Sequence, residues 1–133
     1  MTDTKFESLS PILPVEEIEP CLGFWKDRLG FAEIGSVPED DHLAFAMLSS
    51  GPVMVMYQTR ASIERDEPAF AENPLGTAAI YISVDDLQAV TTALEGVEVI
   101  AGPRDMFYGM REVSVREPGG HVVTFAQRIR GGA

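Results

Sequence analysis

The chain has 133 residues, a length that suits one domain with an ordinary core. Its net charge of −11 argues against nucleic acid, whose binders display basic patches. No apolar run approaches a membrane span, and the single cysteine, Cys21, excludes an internal disulfide.

Residues 8–15 read as a strand. Glu16, Glu17 and Glu19 then open a helix, where acids complement the macrodipole. Ile18, Cys21, Leu22, Trp25 and Leu29 form its apolar stripe, and Gly30 ends it. This spacing makes Phe24 and Trp25 core residues and buries Cys21 as an inert thiol. Residues 31–37, 42–48 and 53–58 read as strands, the last two joined by a tight turn over 49–52. Residues 59–76 are polar, contain Pro68 and Pro74, and predict a connector with one short helix. The pattern then restarts. Residues 77–84 read as a strand, and Asp85 and Asp86 open a helix carrying Leu87, Val90 and Leu94. Gly96 closes that helix. Strands follow at 97–101, 110–116 and 121–127, with a loop at 102–109 and a turn at Pro118, Gly119 and Gly120. The tail from Arg128 is expected to fray.

The order is thus βαβββ, connector, βαβββ, which predicts an α+β fold of two repeats. One offset of 69 residues superposes them: Val15 on Val84, Ile18 on Leu87, Gly51 on Gly120, Val53 on Val122.

Three stretches carry a family resemblance. Leu13-x-Val15 precedes the acidic helix start and Gly23-Phe24-Trp25-Lys26-Asp27-Arg28-Leu29-Gly30-Phe31. Ile80-x-Ile82-x-Val84-Asp85-Asp86-Leu87 opens the second half. Tyr108-Gly109-Met110-Arg111-Glu112 and Glu117-Pro118-Gly119-Gly120-His121 close it. Together they resemble the vicinal oxygen chelate superfamily of glyoxalase I, bleomycin-resistance proteins and extradiol dioxygenases. The likeness implies a single domain with modules at 8–58 and 77–127 and a connector at 59–76. It implies a cupped eight-stranded mixed sheet with helices outside, a site inside the cup, and a homodimer.

Metal-dependent relatives place four ligands on cup-facing strands. The resemblance carries those positions to Ser10, Val55, Ala79 and Thr124, none of which is an imidazole or carboxylate. This departure points to the metal-free, bleomycin-resistance-like branch, with no cofactor. The two histidines do not replace the ligands. His121 reads as a surface hairpin residue, and His42 falls with Ala44 and Ala46 toward the helices or solvent.

Strand alternation from the four positions gives the cup lining. The first half contributes Ile12, Pro14, Val53 and Tyr57, with Leu43, Phe45 and Met47. The second contributes Tyr81, Ser83, Val122 and Ala126, with Glu112, Ser114 and Arg116. The opposite faces, Leu9, Leu13, Val15, Ile80, Ile82, Val84, Val113, Val115, Val123 and Phe125, read as core. The candidate ligand-binding residues are therefore Ser10, Ile12, Leu43, Phe45, Val55, Tyr57, Ala79, Tyr81, Glu112 and Thr124. Glu112 is also the one catalytic candidate, since a carboxylate in an apolar pocket has a raised pKa and can move protons.

Three functions fit this lining. One is a binding protein that sequesters an apolar or aromatic small molecule, a cationic one included. Another is a superfamily lyase, isomerase or dioxygenase-like enzyme with a metal-free or relocated site. The third is a partner module with a vestigial cup. With no basic and apolar leader before residue 10, the expected compartment is the cytoplasm, with no membrane or nucleic-acid partner.

Overall fold

The structure, a computed structural model, describes residues 3–72 and 75–129. Pro74 of the connector and residues 130–133 of the tail lie outside the described residues.

β1 (Ile12–Val15) leads into α1 (Glu19–Leu22), which continues as a wider π-type helix over Gly23–Arg28. Pro20 sits in the first turn, where its missing N–H has no helical partner to lose. The helix stops at Gly30, whose φ of 75° suits glycine. The N–H of Phe31 closes the end on the Trp25 carbonyl at 2.8 Å. β2 (Ala32–Glu39), β3 (His42–Ser50) and β4 (Val53–Thr59) complete the first unit. The connector expected to hold one short helix holds two, α2 (Arg60–Asp66) and α3 (Ala69–Glu72). Thr59 starts α2 by accepting from the Ser62 N–H at 3.2 Å, a cap at the very end of a strand. The second unit is β5 (Ala79–Ser83), α4 (Leu87–Ala93), β6 (Val99–Asp105), β7 (Met110–Arg116) and β8 (Val122–Arg128). Asp86 caps α4 through the Ala89 N–H at 3.1 Å. β6 runs on to Asp105, into a stretch that reads as loop. Among the described residues no helix is long and apolar enough to cross a membrane.

The eight strands form two four-stranded mixed sheets of one topology, β1-β4-β3-β2 and β5-β8-β7-β6. In each, the first strand lies parallel to the last and the other pairs are antiparallel. A continuous apolar core fills the helix side of both sheets. Ile18, Cys21 and Trp25 are fully buried there, and Phe24 nearly so. Burial pushes the Cys21 thiol up to about 12, which keeps it a protonated, unreactive packing group. Leu9 is the exception to the expected core: it is 90 % exposed, because β1 begins only at Ile12 and Leu9 lies ahead of the sheet.

The repeats do not superpose by one offset. From Leu13 to Ile82 is 69 residues, but their strand partners Tyr57 and Phe125 are 68 apart. The cause is the turns. Ser50 pairs with Val53 across a two-residue turn, whereas Arg116 pairs with Val122 across five residues. A one-residue slip reverses every side chain of a strand. Val55 and Tyr57 therefore face the helices, 1 % and 0 % exposed, and Met54, Met56 and Gln58 take the opposite face. The reading that put Val55 and Tyr57 in the cup is corrected here.

The longer turn also fills the seam between the halves. Glu117 folds inward, 1 % exposed, and its Oε2 accepts the Tyr57 hydroxyl at 2.5 Å. The Trp25 indole N–H donates to the same hydroxyl at 2.8 Å. Oε1 accepts the His121 backbone N–H at 2.6 Å. His121, expected at the surface, is fully buried. Its Nδ1 accepts from the Ala78 N–H at 2.7 Å and its Nε2 lies 2.9 Å from the Pro14 carbonyl, so the ring donates from Nε2. Each buried polar group thus has a partner, and first-half Tyr57 and Pro14 are tied to second-half Glu117 and His121. His42 lies exposed beside Asp41.

Candidate ligand-binding site

The side of each sheet turned away from the core is its open face. On the first sheet, Met47 pairs with Met56, and Phe45 with Gln58. Val37 lies opposite Phe45 and Gly35 opposite Met47. Ile12, beside Met56, is 49 % exposed. The face is apolar and soft, because unbranched thioethers adapt to irregular shapes. Phe45 sits half-buried on it, while Leu43, also half-buried, packs against the core. α2 bounds one end: the Gln58 amide donates to Ser62 Oγ and Asp66 Oδ2, both at 3.0 Å, and Arg65 pairs with Glu39 of β2.

The second sheet presents the opposite chemistry. Tyr81 of β5 reaches across β8 to β7, where its hydroxyl donates to Glu112 Oε2 at 2.7 Å. Tyr108 donates to the same oxygen at 2.5 Å. Ala126, paired in the sheet with both Ser83 and Glu112, is fully buried. Ser114 and Thr124, directly opposed, share a hydrogen bond of 2.7 Å. Glu112 is 6 % exposed, yet its carboxyl lies below the usual carboxylate range. The Tyr108 and Tyr81 hydrogen bonds, in that order, outweigh the burial that sequence reasoning expected to raise it. The same bonds push Tyr81 up to about 12, with Glu112 as the first cause. Glu112 is thus an ionised acceptor at neutral pH and a poor general acid.

A cleft of ≈ 480 Å³ runs between the β3–β4 hairpin and β5, lined among others by Leu9, Pro52, Met54, Val55, Ala79 and Tyr81. Ala79 and Tyr81 are exposed, and Ser10 lies half-buried just ahead of β1. By strand register Ile12, Phe45, Ala79, Tyr81, Glu112 and Thr124 lie on the two open faces, whereas Ser10 precedes β1 and Leu43 packs against the core. Met54, Met56 and Tyr108 were missed as lining. The signal for the methionines was the two-residue turn, which cannot pair odd positions of β3 with odd positions of β4.

The corrected register replaces Val55 by Met56 in the family's metal positions. Ser10, Met56, Ala79 and Thr124 offer hydroxyls, a thioether and a methyl, a set that does not fit a hard or borderline divalent ion. Among the described residues no group of three or more His, Cys, Asp or Glu side chains is placed to hold a metal.

The sequence profile of the Glyoxalase/Bleomycin resistance protein/Dioxygenase superfamily matches residues 8–125, and the chain belongs to that family. No curated protein matches it. Among solved structures it resembles TnmS3, an antibiotic binding protein from a Streptomyces species, at 19 % identity and TM-score 0.72, covering 96 % of this chain and 99 % of that one. It resembles a lactoylglutathione lyase from Agrobacterium tumefaciens at 17 % identity and TM-score 0.74, covering 99 % and 100 %. TioX from a Micromonospora species matches at 19 % identity and TM-score 0.72, covering 93 % and 100 %. At these identities the likeness is one of fold.

Proposed function

We propose that this chain is a binding protein that holds an apolar or aromatic small molecule between its two open faces, without a metal. The observation that carries the reading is the contrast between an apolar open face, Ile12, Phe45, Met47 and Met56, and a hydrogen-bonding one, Tyr81, Glu112 and Thr124, with a cleft between the halves lined by Met54, Ala79 and Tyr81. Small-molecule sites are built this way, mostly apolar with a few aimed polar groups. The four residues at the family's metal positions support the metal-free part. TnmS3 binds an antibiotic on the same fold, so the fold admits sequestration as a role. The enzyme reading is weaker, because Glu112 is held ionised and Tyr81 protonated near neutral pH.

The exposed apolar side chains on the first sheet, Ile12, Ile34 and Val37, fit a homodimer in which a second copy completes the cup. The modules at 8–58 and 77–127 then serve as one domain. Thermal-shift screening against flat hydrophobic compounds tests the binding reading. A saturable rise in melting temperature is expected, and its absence across a broad aromatic set contradicts it. Light scattering giving a monomer mass at micromolar concentrations contradicts the dimer.

A further inference from the structure

Resting on the binding reading, we infer that the ligand carries a protonated amine or amidine on a flat ring, and that Glu112 anchors that cation. Glu112 lies on the open face of the second sheet, where the residue as a whole is 6 % exposed. One of its oxygens takes both tyrosine hydroxyls, and Oε1 has no hydrogen-bond partner among the described residues. No lysine or arginine among the described residues forms an ion pair with it. Arg104, opposite it in the β6–β7 ladder, makes no ion-pair contact, and Arg111 is engaged by Asp105 at 2.6 Å. Arg104 favours the ionised carboxylate through space without touching it, so the direct-contact position on Glu112 stays open to a ligand cation. Tyr81 and Tyr108 hold the carboxylate in place while leaving Oε1 free to accept.

The surroundings favour a cation over a neutral donor. Tyr81 is 52 % exposed and Tyr108 46 % exposed, so their rings are accessible beside the carboxylate. Phe107 packs edge-to-face on Tyr108 at 5.1 Å and is itself almost wholly exposed. Aromatic faces beside a carboxylate suit an ammonium or amidinium joined to a flat ring. The net charge of −11 raises the local concentration of such a ligand.

The test uses two probes of one ring system, 9-aminoacridine, which is protonated at neutral pH, and acridine, which is neutral there. Fluorescence titration of the full chain at low salt should show the cation bound about tenfold or more tightly than acridine. Glu112→Gln keeps the size and an acceptor for both tyrosines. It should abolish the preference by weakening 9-aminoacridine about tenfold, and leave the melting temperature near that of the parent. The parent comparison needs no variant to fold. Equal affinities for the two probes, or a preference that survives Glu112→Gln, overturn the inference and leave the binding reading standing. Failure of both probes to bind overturns the inference and counts against the binding reading as well.

Discussion

The two halves share one element order and one strand topology, yet their open faces are chemical opposites. The first is walled by Phe45, Met47, Met54 and Met56, the second by Tyr81, Glu112, Ser114 and Thr124. Their hairpin turns differ in the same way. The β3–β4 turn is two residues of solvent-facing Gly51 and Pro52. The β7–β8 turn is five, and it sends Glu117 and His121 into the seam. A repeat preserves the hydrogen-bonded frame while turn length and face chemistry diverge, so a residue's role follows its own register and not its place in the repeat.

The sharpest test of that lesson uses Val55 and Thr124, which a constant offset would equate. Val55→Asn puts an amide into the core with no partner and should cost about 3 kcal/mol in chemical denaturation. Thr124→Asn lies on an open face and should cost about 1 kcal/mol or less. Equal costs would mean that the two residues share a face.

The tyrosines give the next contrast. Tyr57→Phe leaves a Glu117 oxygen and the Trp25 N–H without their buried partner, and should lower stability by about 2 kcal/mol while sparing ligand affinity. Tyr81→Phe should do the reverse, weakening cationic ligands with little change in the denaturation midpoint. A Tyr81→Phe protein as destabilised as Tyr57→Phe would place Tyr81 in the structural frame.

A smaller effect lies at high pH. Tyr81 titrates at about 12, above the ordinary value of 10, first because it donates to Glu112. The folded state therefore holds this proton more tightly than the unfolded state. That stabilisation is complete below about pH 10 and is lost as pH rises toward about 12. Ultraviolet titration should show two tyrosines, Tyr81 and Tyr108, moving back toward the ordinary value in Glu112→Gln. An unchanged alkaline titration in that variant would break the Tyr81–Glu112 link.

Much of this was legible in the sequence. Glycines, prolines and helical stripes marked the elements, and β7 and β8 alternate plainly, with Val113, Val115, Val123 and Phe125 against Glu112, Ser114 and Thr124. β4 reads Val-Met-Val-Met-Tyr from Val53, apolar on both faces, so alternation carried no signal and its register was borrowed from the glycine offset. His121 and Glu117 were hidden for a related reason. A polar residue beside a turn reads as surface, and only the contacts across the seam show that each is buried and satisfied. Tyr108 was visible as part of a motif, but its bond to Glu112 depends on how the loop before β7 folds.

The central claim is that the cup holds an organic ligand with no metal, and elemental analysis of protein purified without chelator tests it most directly. The account predicts well below one equivalent of zinc, nickel, iron or manganese per chain, and a melting temperature unmoved by EDTA. One equivalent of a tightly bound divalent ion, with a melting temperature that falls when it is stripped, would contradict it and return Ser10, Met56, Ala79 and Thr124 to scrutiny as a site read wrongly.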